Sequence, residues 1–144
     1  MSIAQPSRLL YHSRIAPGFD AGARARLLET SERRNGEAGL RSGLVAYRGV
    51  FMQALEGDID EVTEVFRRLL VDPRHHGVTL VHLGAVEANA LPPVRMAMLD
   101  EEEIVEELLA QHRAQPPFDP GALGAAAMTA IIRQACLART FLVD

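Results

Sequence analysis

Two apolar runs, Leu44 to Tyr47 (LVAY) and Val50 to Leu55 (VFMQAL), are separated only by Arg48-Gly49. So short a gap, with a glycine in it, reads as a tight hairpin turn, and the two runs are expected to pair as antiparallel strands. On either side the pattern changes to helical spacing. Asp20 offers an N-cap to a helix expected from about Asp20 to Arg34, arginine-rich outside, with Leu27, Leu28 and Ser31 able to share an inward face and Asn35-Gly36 as its stop. After the hairpin, Asp58 and Glu61 form a D-x-x-E variant of the capping box around Ile59, Val62, Phe66, Leu69 and Leu70, and Pro73 ends that helix. Arg8 to Ser13 (RLLYHS), Val78 to Val86 (VTLVHLGAV) and Val94 to Leu99 (VRMAML) read as further strands. The order β-α-β-β-α-β-β is the ferredoxin-like split βαβ pattern with one strand added, an α+β fold whose sheet carries two helices on one face.

The other face needs cover. Asp100 to His112 repeats the D-x-x-E cap before Ile104, Val105, Leu108 and Leu109, and Pro116-Pro117 separates it from a segment running about Gly121 to Leu142. Two C-terminal helices are therefore expected over the second face. The last is apolar all round (Leu123, Met128, Ile131, Ile132, Cys136, Leu137, Phe141), so it is buried on more than one side, either within its own chain or partly against a second subunit. With 144 residues and 48% hydrophobic content, residues 1–100 and the helical extension 101–144 are expected to form one globular unit.

A net charge of −4 and a sequence pI of about 5.7 give no sign of a basic face for nucleic acid. Single Cys136 excludes an intramolecular disulfide and a cysteine metal cage. No stretch approaches the roughly 18 apolar residues of a membrane span, and no charged segment followed by a long apolar run opens the chain, so a cytoplasmic, membrane-independent protein is expected.

Gln53 interrupts the apolar strand. Alternation puts Phe51, Gln53 and Leu55 on one side and Val50, Met52 and Ala54 on the other, both of buried character. A buried amide left unpaired costs on the order of 1–3 kcal/mol, so it needs a partner from the fold or from a ligand. In the split βαβ order the first and third strands are neighbours, which sets Tyr11 beside Gln53 on the helix-covered side. Such a phenol–amide pair is either a self-satisfied core contact or part of a site. Asn35 is an ordinary helix terminator whose position also brings its amide to the edge of the same pocket. Three polar groups in an apolar slot suit a flat heteroaromatic ligand, and a flavin ring fits that description. Adjacent His75 and His76 point apart on an extended chain, so no metal site is expected there. Glu101 to Glu103 read as a solvated helix start. No nucleophile elbow, Walker loop or dinucleotide glycine motif is present, and no enzymatic activity is expected.

Several segments carry a family resemblance: LLYHSR with Tyr11, RRN with Asn35, GVFMQALEG with Gln53, VDPRHHGVTL, and VRMAML with Met96. From Leu9 to about Leu99, about two thirds of its length, the chain resembles a BLUF domain, the family of blue-light sensors using FAD. The resemblance implies bound FAD, with FMN and riboflavin as alternatives. It implies Tyr11 as photochemical electron donor, Gln53 as the amide bridging Tyr11 to flavin N5 and the C4 carbonyl, and Asn35 on the ring's C4=O/N3 edge. It also implies Met96, on the fifth strand, contacting the glutamine site, Arg74 and His75 beside the flavin, and a Ser31 hydroxyl near the glutamine. Val94 stands where the family often has Trp, Arg34 where Asn or His is usual, and the loop NGEAGLRSG and the Arg48-Gly49 turn differ in length. The function implied is a short, stand-alone photoreceptor that signals to a downstream regulatory protein and self-associates through its C-terminal helices. The competing expectation is a non-photoactive ferredoxin-like dimerisation or interaction module.

Overall fold

A computed structural model describes residues 5–112 and 118–143. Five strands, β1 (Ser7–Ile15), β2 (Arg41–Tyr47), β3 (Val50–Gly57), β4 (His75–Ala85) and β5 (Ala97–Leu99), form one sheet in the order β4-β1-β3-β2-β5. The first four pair antiparallel, and β5 lies parallel to β2, so the fold is the expected α+β arrangement with its added strand at the β2 edge. Arg48 and Gly49 both take positive φ, +48° and +78°, the conformation a two-residue hairpin turn requires. Helices α1 (Ala21–Ala38) and α2 (Ile59–Leu70) occupy one face, and α3 (Glu102–Gln111) and α4 (Ala125–Val143) the other.

Strand alternation divides the interior. Leu9, Tyr11 and Leu55 pack with Val62 of α2, and Leu44, Phe51 and Met98 pack with Leu27 and Leu28 of α1. On the opposite face Leu10, Val45, Met52, Ala54 and Leu99 meet Val105, Leu108 and Leu109 of α3 and Met128, Ile131, Ile132 and Cys136 of α4. These four α4 side chains are fully buried against their own chain, and Arg133 is exposed. Burying aliphatic side chains of this size stabilises by roughly 1.5–3 kcal/mol each, which makes the C-terminal helices part of the core.

Several boundaries differ from the sequence-based expectation. Asp20 caps α1 as expected, accepting from the Ala23 N–H at 2.8 Å, but the helix does not stop at Asn35-Gly36. It runs one turn further to Gly39, whose φ of +69° lets its N–H reach the Asn35 and Gly36 carbonyls. Asp100 does not cap α3: it binds Arg24 of α1 through both carboxylate oxygens, at 2.6 and 3.2 Å, and Glu101 takes the cap position without a side-chain bond. Strand β5 begins at Ala97, so Met96 lies on the approach to it. Strand β4 begins earlier than expected, at His75. The Pro116-Pro117 break and the Phe141 side chain lie outside the described residues.

Two contacts fix the layers. Buried Glu56 accepts from Arg8 Nε at 2.8 Å and from the Ala90 and Leu91 N–H groups at 2.8 and 2.9 Å, pinning the connection that leads toward β5. Gly43 lets α4 approach β2, since a Cβ there would overlap Cys136 Sγ and stand 2.8 Å from Ile132 Cγ2. Gly43→Ala is therefore expected to destabilise the fold by about 1–3 kcal/mol through overpacking, read as a lower midpoint in urea unfolding; an unchanged midpoint would show that α4 is not seated as described.

Candidate functional site

Between α1, α2 and the sheet lies a slot that opens to solvent. Apolar walls come from Leu27 of α1, Leu44 and Phe51 of the sheet, and Val65 and Leu69 of α2. Tyr11, Ser31, Asn35, Gln53, Arg74 and His75, all expected at the site, line it as well.

Tyr11 and Gln53 are directly opposed in the β1–β3 register, and the Tyr11 hydroxyl donates to Gln53 Oε1. Both are buried. Burial raises the phenol's pKa well above its ordinary 10.0, and the nearby Asp72 charge acts in the same direction. The phenol is therefore neutral and keeps its proton for the amide oxygen. At the other end of the amide, Gln53 Nε2 donates to Ser42 Oγ at 3.1 Å, and Ser42 donates to Met96 Sδ at 3.2 Å. Ser31 lines the slot from α1, but the hydroxyl that Gln53 bonds is that of Ser42. Sequence reasoning passed over Ser42. Strand alternation held the signal, because Ser42, Leu44 and Ala46 share the side of β2 that faces the α1–α2 layer.

Asn35, buried in the last turn of α1, donates through Nδ2 to the Arg95 carbonyl at 2.8 Å. Its side-chain oxygen makes no hydrogen bond among the described residues, which leaves an acceptor, with the second N–H, beside the slot. Met96 is not among the residues lining the slot; it reaches the site through Ser42 and a longer, 4.0 Å contact with Gln53 Nε2.

Arg74 is held by Asp72, with contacts of 2.6 to 3.1 Å. Burial pushes the Asp72 carboxyl up, but its hydrogen bonds with Arg74 and that residue's charge outweigh this and hold it below the usual range. His75 is buried, with Nε2 2.7 Å from the Leu69 carbonyl and Nδ1 2.7 Å from Ser13 Oγ. A carbonyl can only accept, so Nε2 carries the proton, and in the neutral ring Nδ1 accepts from Ser13. His75 can thus offer the slot only its ring, edge-on to Tyr11 with centroids 6.0 Å apart. His76 is exposed, so the adjacent histidines do not converge. At the mouth, exposed Arg34 and Arg68 make no ion pair among the described residues.

The donor set suits a flavin. Two primary amides match a ring that carries carbonyls, a ring N–H and ring acceptors, the walls match its apolar faces, and two guanidinium groups at the mouth could hold a phosphate-bearing tail.

Residues 7–97 match the family model "Sensors of blue-light using FAD". Photoactivated adenylate cyclase subunit beta of Euglena gracilis is 35% identical over 66 residues, 46% of this chain and 8% of that protein, so the chain spans under a tenth of the curated relatives' length. Among solved structures, BlsA in its photo-activated state superposes with a TM-score of 0.80 at 17% identity, covering 92% of this chain and 95% of that one. BlrB, a BLUF protein in its dark state, gives 0.73 at 23% identity, with 93% and 96% covered. No helix among the described residues is long and apolar enough to cross a membrane. The match over more than half of its residues places the chain in the BLUF family, the sensors of blue light using FAD.

Proposed function

We propose that this protein is a cytoplasmic FAD-dependent photoreceptor in which Tyr11 and Gln53 convert absorbed blue light into an altered hydrogen bond, read by a protein partner. The observation that carries this reading is the buried Tyr11–Gln53 hydrogen bond at the floor of an apolar slot beside the Asn35 amide.

Bound in the slot, the flavin supplies absorption of blue light and, once excited, a one-electron acceptor. Asn35 and Gln53 orient the ring by its polar edge, and Leu27, Leu44 and Phe51 exclude water from it. Arg74, His75 and Ser31 line the same cavity, with Arg74 locked by Asp72 and His75 by Ser13 and Leu69. Arg34 and Arg68 at the slot's mouth would hold the phosphate groups of FAD or FMN, which riboflavin lacks.

Tyr11 gives up an electron and, along the hydrogen bond it already makes, its phenolic proton toward Gln53. Both return to Tyr11 on recombination, and Gln53 remains rotated or tautomerised. No residue is consumed and nothing is turned over, in keeping with a sensor. The changed amide acts on Met96 and on β2, and β2 carries α4 through Gly43 and Cys136. A downstream regulatory protein, and a second copy of the chain, would be engaged through the C-terminal helices.

In the purified protein, FAD loading gives a yellow species with a small reversible red shift under blue light. A colourless protein that cannot be loaded returns the chain to the interaction-module reading. Tyr11→Phe keeps the flavin and loses the shift; an intact photocycle in that variant refutes Tyr11 as donor. Arg34→Ala combined with Arg68→Ala weakens FAD about tenfold or more, roughly 1.4 kcal/mol, and leaves riboflavin affinity unchanged in parallel titrations. Since the folded phenol's pKa is raised above 10.0, its contribution to stability is constant well below pH 10.0 and declines as pH rises from 10.0 to the higher folded value. The photoshift accordingly keeps its amplitude up to pH 10.0; its loss below that would show an ionised Tyr11.

A further inference from the structure

Gln53 is held at both ends, by Tyr11 at its oxygen and by Ser42 at its nitrogen. Ser42 is fully buried, so its single hydroxyl proton has few destinations, and it goes to Met96 Sδ at 3.2 Å. The Ser42 backbone N–H also donates to the Val94 carbonyl at 3.0 Å. The segment entering β5 is thus hooked to this one residue twice, once through its main chain and once through its hydroxyl.

The hydroxyl's direction depends on which end of the amide faces it. With Nε2 facing Ser42, the Ser42 oxygen accepts and its proton is available to sulfur. If the amide turns end for end, Oε1 faces Ser42 Oγ, and two oxygens in contact are tolerated only when a proton lies between them. Ser42 must then donate to Oε1 and withdraw from Met96. A neutral O–H to amide oxygen bond is stronger than one to a thioether, a weak acceptor, so the reversal is favoured.

We propose that Ser42 is the positioning residue that reads the orientation of Gln53: turning the amide changes the Ser42 hydroxyl from acceptor to donor toward Gln53, redirects its proton from Met96 and unhooks Met96 from the glutamine site. This rests on the light-driven rearrangement of Gln53 proposed above, and it commits that rearrangement to a turn, since tautomerisation in place leaves Nε2 toward Ser42. Gln53 Nε2 and Met96 Sδ are 4.0 Å apart, so the serine is the closer contact for both.

The test uses the FAD-loaded full chain. Ser42→Cys combined with Cys136→Ala leaves the chain's only thiol at this position, and its S–H stretch stands clear of other protein bands. Light-minus-dark infrared spectra should show that stretch moving to lower wavenumber as its proton exchanges the weak Met96 thioether for the stronger Gln53 Oε1 acceptor. In the otherwise unsubstituted protein carrying [methyl-13C]methionine, the Met96 resonance, assigned by its loss in Met96→Leu, should move on illumination. At equal photoconversion the displacement should shrink in Ser42→Ala and return in Ser42→Thr. A stationary Met96 resonance in photoconverted unsubstituted protein overturns the proposal, whatever Ser42→Cys does. So does a Ser42→Ala displacement as large as that of the unsubstituted protein, or a photoconverted Ser42→Cys protein with no thiol difference band. Absence of the red shift in the unsubstituted protein instead refutes the photoreceptor reading on which this one stands.

Discussion

The Tyr11–Gln53 hydrogen bond joins two buried residues that the β1–β3 register sets face to face. Each constrains the other. An unpaired buried amide costs on the order of 1–3 kcal/mol, so the sheet must hold its register for the phenol to arrive opposite the glutamine. A slip of one residue would turn Tyr11 toward α3 and α4 and leave Gln53 facing the slot alone. The same register sets Ser42 diagonally from Gln53, since Leu44 pairs with Gln53 and Ser42 with Leu55.

Around that pair the molecule separates what must be rigid from what must be selective. The α3–α4 face is a continuous apolar core in which Gly43 admits α4 close to β2. The α1–α2 face is split into two smaller clusters, with the slot between them. Ion pairs tie the two layers at the end of β5, where Asp100 binds Arg24 of α1 and Glu101 binds Arg139 of α4 at 2.5 Å. A displacement of the segment carrying Met96 therefore has neighbours on both faces of the sheet. That arrangement suits a sensor family whose curated relatives here include photoactivated cyclases.

Much of this was legible from residue pattern because the physics is local. Two residues between apolar runs admit little besides a hairpin, and period-two alternation placed Tyr11 and Gln53 on one side. What depended on tertiary partners was not legible. Asn35-Gly36 has the composition of a helix stop, yet Gly39 supplies the left-handed turn, leaving Asn35 inside the helix with its side chain bound to the Arg95 carbonyl. Asp100 has the position of an N-cap, but a two-pronged pairing with Arg24, distant in sequence, outweighs the local bond. Ser42 looked like part of a loop because its neighbours are glycine and arginine. Its role appears only when β2 is laid beside β3. Glu56 is a further case: an acidic residue in a buried strand signals a partner, but the Arg8 guanidinium and two loop N–H groups come together only in the fold.

The central claim is that Gln53 moves and Tyr11 is what it moves from. Isotope-edited infrared spectroscopy of FAD-loaded protein carrying [δ-13C]glutamine, with the Gln53 band assigned by its loss in Gln53→Glu, addresses it most directly. The account predicts a light-minus-dark displacement of the Gln53 side-chain carbonyl band as Oε1 leaves the Tyr11 phenol, reversing in the dark with the visible spectrum. A flavin spectrum that shifts and recovers while the Gln53 carbonyl band stays fixed would contradict it.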